Sequence, residues 1–410
     1  VVIFKKLIHD HFMLPLSQPL KHYSRAYNRA FQWIAATCIV LPLFFHFRHD
    51  YSTFTQQWDL ILKGGNPWIL NDGQFSGNAY GPLFNLFPYL YGIYSHLPHL
   101  IFICTWIGLS VYVLNFFTRE TKITSPWMFA FFFLNPLFLV TIVSYGHFDI
   151  IPAALSVGCV VAYQKDKKMT AATFLACAVL FKFYPLILLP FLSVKQKDPL
   201  KPGTSFLKSI DWVFALGTLL ILAAGFGIGY AIWGNTEFAP LFYAQDRGST
   251  MLSIFRFFRS PWSPLGQNAN IDAVAPIFLM ATVGISGHLH LVYRRDSLLA
   301  LITGFFCMLC FYRVGHPQFY TTLYFLVPFW IATQPGALKN KKLLIALFLP
   351  LLYVSLTQVI YISTKGFKFE WVWVDWVISI PLFAIYLYSL PVLWLTLKQS
   401  SRRETQVRKS

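Results

Sequence analysis

The chain has 410 residues, of which 56% are hydrophobic, 19% aromatic and only 12% charged, with a mean hydropathy of +0.54. Soluble domains carry about 25% charged residues, and the long apolar runs, such as 215–232 and 343–362, lack the alternation of a β-barrel strand. The predicted fold class is therefore all-α, a polytopic membrane protein. The formal charge of +17, from 33 Lys and Arg against 16 Asp and Glu, falls in short loops and accompanies no nucleic-acid motif, so it reports topology rather than a nucleic-acid partner.

In chain order, apolar runs predict about twelve transmembrane helices, at 31–47, 99–117, 126–143, 148–163, 170–182, 184–193, 212–233, 273–292, 297–314, 317–333, 342–363 and 373–397. The pair at 170–182 and 184–193 is short and flanks Lys182-Phe183-Tyr184-Pro185. Pro185 ends a helix, so this pair is expected to form a half-depth hairpin. Lys5, Lys6, Lys21, Arg25 and Arg29 precede the first run, and no small-residue cleavage motif follows it. That run is expected to remain an anchoring helix with a cytoplasmic N-terminus.

The segment 80–94 contains Gly81, Pro82, Pro88 and Gly92 and is expected to lie at the outer interface rather than to cross. With that choice about 24 of the 33 Lys and Arg fall inside, about 8 outside, and Lys182 within the membrane. Both termini are then cytoplasmic, and one membrane domain spans 1–410. Two larger outer segments, 48–98 and 234–272, are left for chemistry. The six cysteines lie in apolar runs, and Cys307-x-x-Cys310 has no second pair, so neither disulfides nor a zinc site is expected. No phosphate-binding loop or dinucleotide motif is present, which places any active site on the extracytoplasmic face.

Several polar residues at that face need partners. Asp50 stands just past the first span, where partial desolvation suits a general base and where pairing with Arg48 is the alternative. Asp59 and Asp72 read as solvated or structural. Asp149, in Ser144-Tyr145-Gly146-His147-Phe148-Asp149, either faces a polar cavity or caps the next helix. His147 either orients a phosphate or satisfies a backbone carbonyl. Lys182 requires a phosphate partner or must snorkel to the interface. Arg313 and His316, in Tyr312-Arg313-Val314-Gly315-His316-Pro317-Gln318-Phe319-Tyr320, either bind a lipid-linked phosphate or end a helix. Asp246-Arg247 and Arg256-Phe257-Phe258-Arg259 suit an anionic headgroup or the basic face of a surface helix.

Four landmarks then occur in a telling order: Asp50 followed by Gly64-Gly65-Asn66-Pro67-Trp68, Tyr80-Gly81-Pro82-Leu83-Phe84, Asn135-Pro136 with Gly146-His147-Phe148-Asp149, and Lys182-Phe183-Tyr184-Pro185. This order resembles the GT-C integral-membrane glycosyltransferases, and among them the bacterial polyprenyl-phosphate-mannose-dependent α-mannosyltransferases. His147 departs from the Gln more usual in the family. The resemblance implies inverting, metal-independent transfer of a hexose, most often mannose, with no cofactor. The donor would be a polyprenyl-phosphate-linked sugar and the acceptor a glycolipid or glycan within reach of the membrane lipid. Asp50 would serve as base. Arg313, His316 and Lys182 would stabilise the leaving phosphate, with His147, Asp149, Tyr80, Arg256 and Arg259 as further donor or substrate contacts. The rival class is a transporter or flippase of lipid-linked sugars. Such proteins commonly carry inverted repeats with paired broken helices, and the Lys-Phe-Tyr-Pro break has no counterpart in the second half of the sequence.

Overall fold

The computed structural model describes residues 19–44, 50–69, 78–195, 207–240, 252–258, 274–293, 296–366 and 371–407. Asp72, Asp246, Arg247 and Arg259 lie outside the described residues, as does the Asp50 side chain. Among the described residues the fold is 84% helix without strands, apart from an isolated bridge between Val194 and Ile210.

Among the described residues six helices are long and apolar enough to cross a membrane: Leu97–Thr121, Pro126–Ser144, Trp212–Thr236, Ala275–Val292, Lys341–Ile362 and Val377–Gln399. The expectation of about twelve transmembrane helices, two of them short, is thus met in part. Three of the predicted runs form shorter apolar helices of 10–17 residues, Ile150–Gln164, Lys168–Phe181 and Ser297–Phe311. They are cut short where Asp149, Lys182 and Arg313 interrupt the apolar pattern and the backbone leaves the helix. The segment left out of the spans folds as a tight 3-10 turn, Pro82–Leu86, and a 7-residue helix, Phe87–Ile93. At 1.5 Å per residue that helix covers only about 10 Å.

Burial divides the helices into an inner and an outer set. Ser297–Phe311 and Thr321–Thr333 are buried on nearly every side, and Leu301, Phe305, Leu323, Tyr324 and Phe325 have no exposed surface. By contrast only 17% of the apolar window of Ala275–Val292 and 33% of that of Trp212–Thr236 is buried. Leu220, Ile228, Ile277 and Met280 project from these helices and are largely exposed. A continuous apolar face of that extent is stable in lipid and not in water, so the protein belongs in a membrane. All six cysteines are free, and Cys307 and Cys310 are core residues.

The Pro126–Ser144 span is broken at the Asn-Pro landmark. Pro136 cannot donate a backbone hydrogen bond, and the Asn135 side chain repairs the gap. Its Nδ2 donates to the Phe131 carbonyl at 3.0 Å, and its Oδ1 accepts from the Leu137 N–H at 2.9 Å. The same oxygen accepts from Ser355 Oγ at 2.8 Å, which ties the break to the Lys341–Gly366 helix. The last six residues, Leu139–Ser144, wind as a π-helix and deliver the chain into the Tyr145–Asp149 turn. Asn135→Ala leaves three buried polar groups without this partner, and should cost about 1–3 kcal/mol. Thermal unfolding in detergent checks it; an unchanged midpoint would mean that the break is held by packing alone.

Candidate active site

The site begins at a main-chain contact. The helix Asp50–Leu62 starts at Asp50, and the next residue, Tyr51, donates its N–H to the Tyr145 carbonyl at 3.1 Å. The first expected functional residue is thus brought by its backbone onto the turn that carries His147 and Asp149. Tyr51 secures the join: its ring lies 4.9 Å from that of His99, and its hydroxyl donates to the Ser95 carbonyl at 2.7 Å. Burial pushes the Tyr51 hydroxyl well above the usual tyrosine range, so it remains a donor. Gly146 makes the approach possible. Its φ of +65° suits glycine, and a Cβ there would stand 2.7 Å from the Tyr51 ring.

Beyond this turn, Asp149 sits at the N-cap position of Ile150–Gln164 but makes no side-chain capping bond. Its Oδ1 instead accepts from Lys182 Nζ at 2.6 Å, and both residues are buried. Capping is therefore not the role of Asp149, and Lys182 is neither snorkelled nor alone. Asp149 Oδ2 is buried with no hydrogen-bond partner among the described residues, which leaves one carboxylate oxygen available as an acceptor.

Lys182 takes an extended backbone conformation, φ −157° and ψ 136°, directly after the helix Lys168–Phe181 ends. The break frees the side chain to enter an aromatic surround. Its Nζ lies 4.5 Å from the ring centre of Phe319, 5.4 Å from Tyr80, 5.6 Å from Phe148 and 5.9 Å from Tyr184. These distances are within cation–π range. Tyr80, Phe148 and Tyr184 come from three different landmarks of the sequence, and Phe319 from the Tyr312–Tyr320 turn.

Close backbone packing holds those landmarks together. Gly81 N–H donates to the Phe181 carbonyl at 3.1 Å, and a Cβ at Gly81 would fall 2.3 Å from the Leu180 carbonyl oxygen, so only glycine fits. The Tyr80 carbonyl accepts from Trp68 Nε1 at 3.0 Å, and the Asn66 side chain accepts from the Trp68 and Ile69 N–H groups. On the opposite side, the Tyr184 hydroxyl pairs with Thr322 Oγ1 at 3.1 Å, next to Phe319. The His316 ring stands 5.9 Å from that of Phe319, and Arg313 belongs to the same turn. Leu252 N–H donates to the Gly315 carbonyl at 3.2 Å, which seats the helix Ile254–Phe258, with Arg256, beside that turn.

Of the sequence-predicted residues, the structure brings Tyr80, Asp149 and Lys182 into direct contact. His147 is buried on the same turn as Asp149, and His316 adjoins Phe319. Arg313 and Arg256 come near through their backbone segments, and Asp50 through the Tyr51–Tyr145 bond. The aromatic partners Phe148, Tyr184 and Phe319 carry no role in the sequence reading, although each lies within three residues of an ionisable one. Among the described residues no group of three or more His, Cys, Asp and Glu side chains has the arrangement of a metal site.

Removing one member of a buried ion pair strands the other charge, at a cost of about 3–5 kcal/mol. Asp149→Leu and Lys182→Met should each lower the unfolding midpoint strongly, whereas the double variant that combines them should recover most of the loss. The three variants and the unaltered protein form a thermal-unfolding cycle, and additive losses would show that the pair is not coupled.

No curated protein matches the chain. A family model, the MptA_B family, described as alpha-(1->6)-mannopyranosyltransferase, N-terminal domain, matches residues 77–196. That stretch contains His147 together with Tyr80, Phe148 and Tyr184, three of the four rings around Lys182, and the whole Asp149–Lys182 ion pair. The match supports a glycosyltransferase role for this membrane protein, and residues 77–196 are what is similar to the alpha-(1->6)-mannopyranosyltransferase N-terminal domain.

Proposed function

We propose that the protein transfers mannose from a polyprenyl-phosphate-linked donor to a glycolipid or glycan acceptor at the extracytoplasmic face of the membrane, with inversion and without a metal ion. The observation that carries this reading is the mannosyltransferase family match over the segment that supplies the Asp149–Lys182 pair and its aromatic surround. The family description suggests an α-(1->6)-mannoside as product. Placement on the extracytoplasmic side follows from the excess of Lys and Arg in the turns at the other end of the helices.

In this mechanism the acceptor hydroxyl attacks the anomeric carbon of the donor. The bond from that carbon to the phosphate oxygen breaks, and the polyprenyl phosphate leaves with the electron pair. The Asp50 carboxylate takes the hydroxyl proton. Its helix begins one residue before the Tyr51–Tyr145 join, which brings its backbone to the turn that carries His147 and Asp149. Arg313 and His316 stabilise the phosphate as negative charge moves onto it, with Arg256 on the adjoining helix and Arg259 as further phosphate contacts. Lys182 is already paired with Asp149, so it holds the site's electrostatics as one half of a neutral pair. Tyr80, Phe148 and Phe319 offer aromatic faces that suit a sugar ring.

In reconstituted vesicles supplied with radiolabelled polyprenyl-phosphate mannose and a membrane-lipid acceptor extract, the unaltered protein should form a labelled product. Asp50→Asn should reduce its rate by about 10²–10⁴-fold, the usual contribution of a general base. Normal transfer by this variant would remove Asp50 from the mechanism. Arg313→Ala should raise the KM for the donor more than that for the acceptor; equal effects would assign Arg313 a structural role.

A further inference from the structure

The end of the helical body away from the candidate site collects the basic turns. Lys168 pairs with Asp166 at 3.2 Å and with Asp211 at 3.4 Å, and Lys195 N–H donates to the Ser209 carbonyl at 2.8 Å. Beside them a cavity of about 310 Å³ opens where Leu97–Thr121 and Ile150–Gln164 end. Its walls include Tyr112, Phe116, Val161 and Phe329. Lys21, His22, Arg119 and Lys165 also line it.

The chain is built to hold these cations together. Asn115, inside the Leu97–Thr121 helix, donates to the Pro19 carbonyl at 2.7 Å and accepts from the Lys21 N–H at 3.1 Å. This fastens the Lys21 turn to the helix that carries Arg119. His22 is held through its carbonyl, which accepts from Thr124 Oγ1 at 3.4 Å. Phe116 stacks on Phe329 with ring centres 4.7 Å apart, and the Arg119 guanidinium lies 5.2 Å above Phe116.

The charge balance favours an anion. Arg119 is paired with Glu120 at 2.7 Å, whereas neither Lys21 nor Lys165 has an ion-pair partner among the described residues. Helix C-terminal dipoles stabilise cations at this end, but they do not account for a cavity with an aromatic wall. A wall of apolar side chains beside fixed cations, at the level where membrane spans end, matches the boundary between acyl chain and headgroup. We infer that this cavity binds the phosphodiester headgroup of an anionic phospholipid, with Lys21 and Lys165 on the phosphate and the start of an acyl chain against Phe116 and Phe329.

The test uses the full chain in detergent with added phosphatidylglycerol or phosphatidylcholine, and counts retained lipid by native mass spectrometry. The unaltered protein should retain phosphatidylglycerol in preference to phosphatidylcholine, and excess inorganic phosphate should not displace it. Lys21→Gln with Lys165→Gln should weaken retention by about fivefold per cation removed. Lys339→Gln with Lys341→Gln removes the same charge from exposed positions outside the cavity and should leave retention unchanged. Equal loss in the two double variants, equal retention of the two lipids, or displacement by inorganic phosphate would each overturn the assignment. If the first double variant fails to fold, Lys21→Gln alone, on an exposed side chain, gives the same comparison at half the effect.

Discussion

The candidate site depends on a single buried ion pair. An ammonium group at membrane depth is costly unless an anion and polarisable surroundings receive it. Asp149 supplies the anion at 2.6 Å, and four aromatic rings supply the surroundings. To bring them together, Tyr80, Phe148, Lys182, Tyr184 and Phe319 must converge from four separate stretches of the chain. The helix breaks are consequences of this requirement. The helix Lys168–Phe181 ends so that Lys182 can turn in, and the helix Ile150–Gln164 begins only after Asp149 has left the turn before it.

The surrounding structure spends its special backbone on close approach. Gly81 meets the Leu180 carbonyl, Gly146 meets Tyr51, and Gly315 meets the Leu252–Ser253 backbone, with a built Cβ at 2.3, 2.7 and 2.8 Å respectively. A side chain at any of these positions would push apart the segments that bear Tyr80, Asp50 or Arg256. The Asn135 bridge plays a parallel role deeper in the body, because it lets a span contain a proline break without leaving buried donors unmet. The site is thus held by backbone contacts between turns, while the helices behind it supply burial.

The two ends of the molecule differ in kind. One gathers buried ionisable groups within aromatic residues, as suits chemistry on a sugar phosphate. The other gathers exposed lysines and arginines around helix ends and one cavity, as suits contact with charged lipid. Such polarity along the helix direction is what a membrane enzyme requires if its donor lipid reacts at one face and its topology is set by charge at the other.

The sequence by itself determined that the chain is helical and belongs in a membrane, because composition and apolar runs depend on local transfer energies and need no knowledge of neighbours. It also singled out Asp149 and Lys182, since each breaks an apolar pattern, while Tyr80 was marked only by the resemblance that its segment carries. It also placed the break at Lys182–Pro185, because Pro185 cannot continue a helix; hydropathy alone did not show that the runs beside Asp149 and Arg313 form helices of only 15 residues, since it sees the apolar run but not the turn at its end. Whether Asp149 capped a helix and whether Lys182 snorkelled were open at that level, because both depend on what lies opposite. Only the tertiary structure decided that the two residues pair with each other. A separation of 33 in sequence carries no periodic signal for that contact, and its rings from Tyr80 and Phe319 are more distant still. The choice is made by packing, which alone brings a compensating charge to a group that cannot stay in lipid without one.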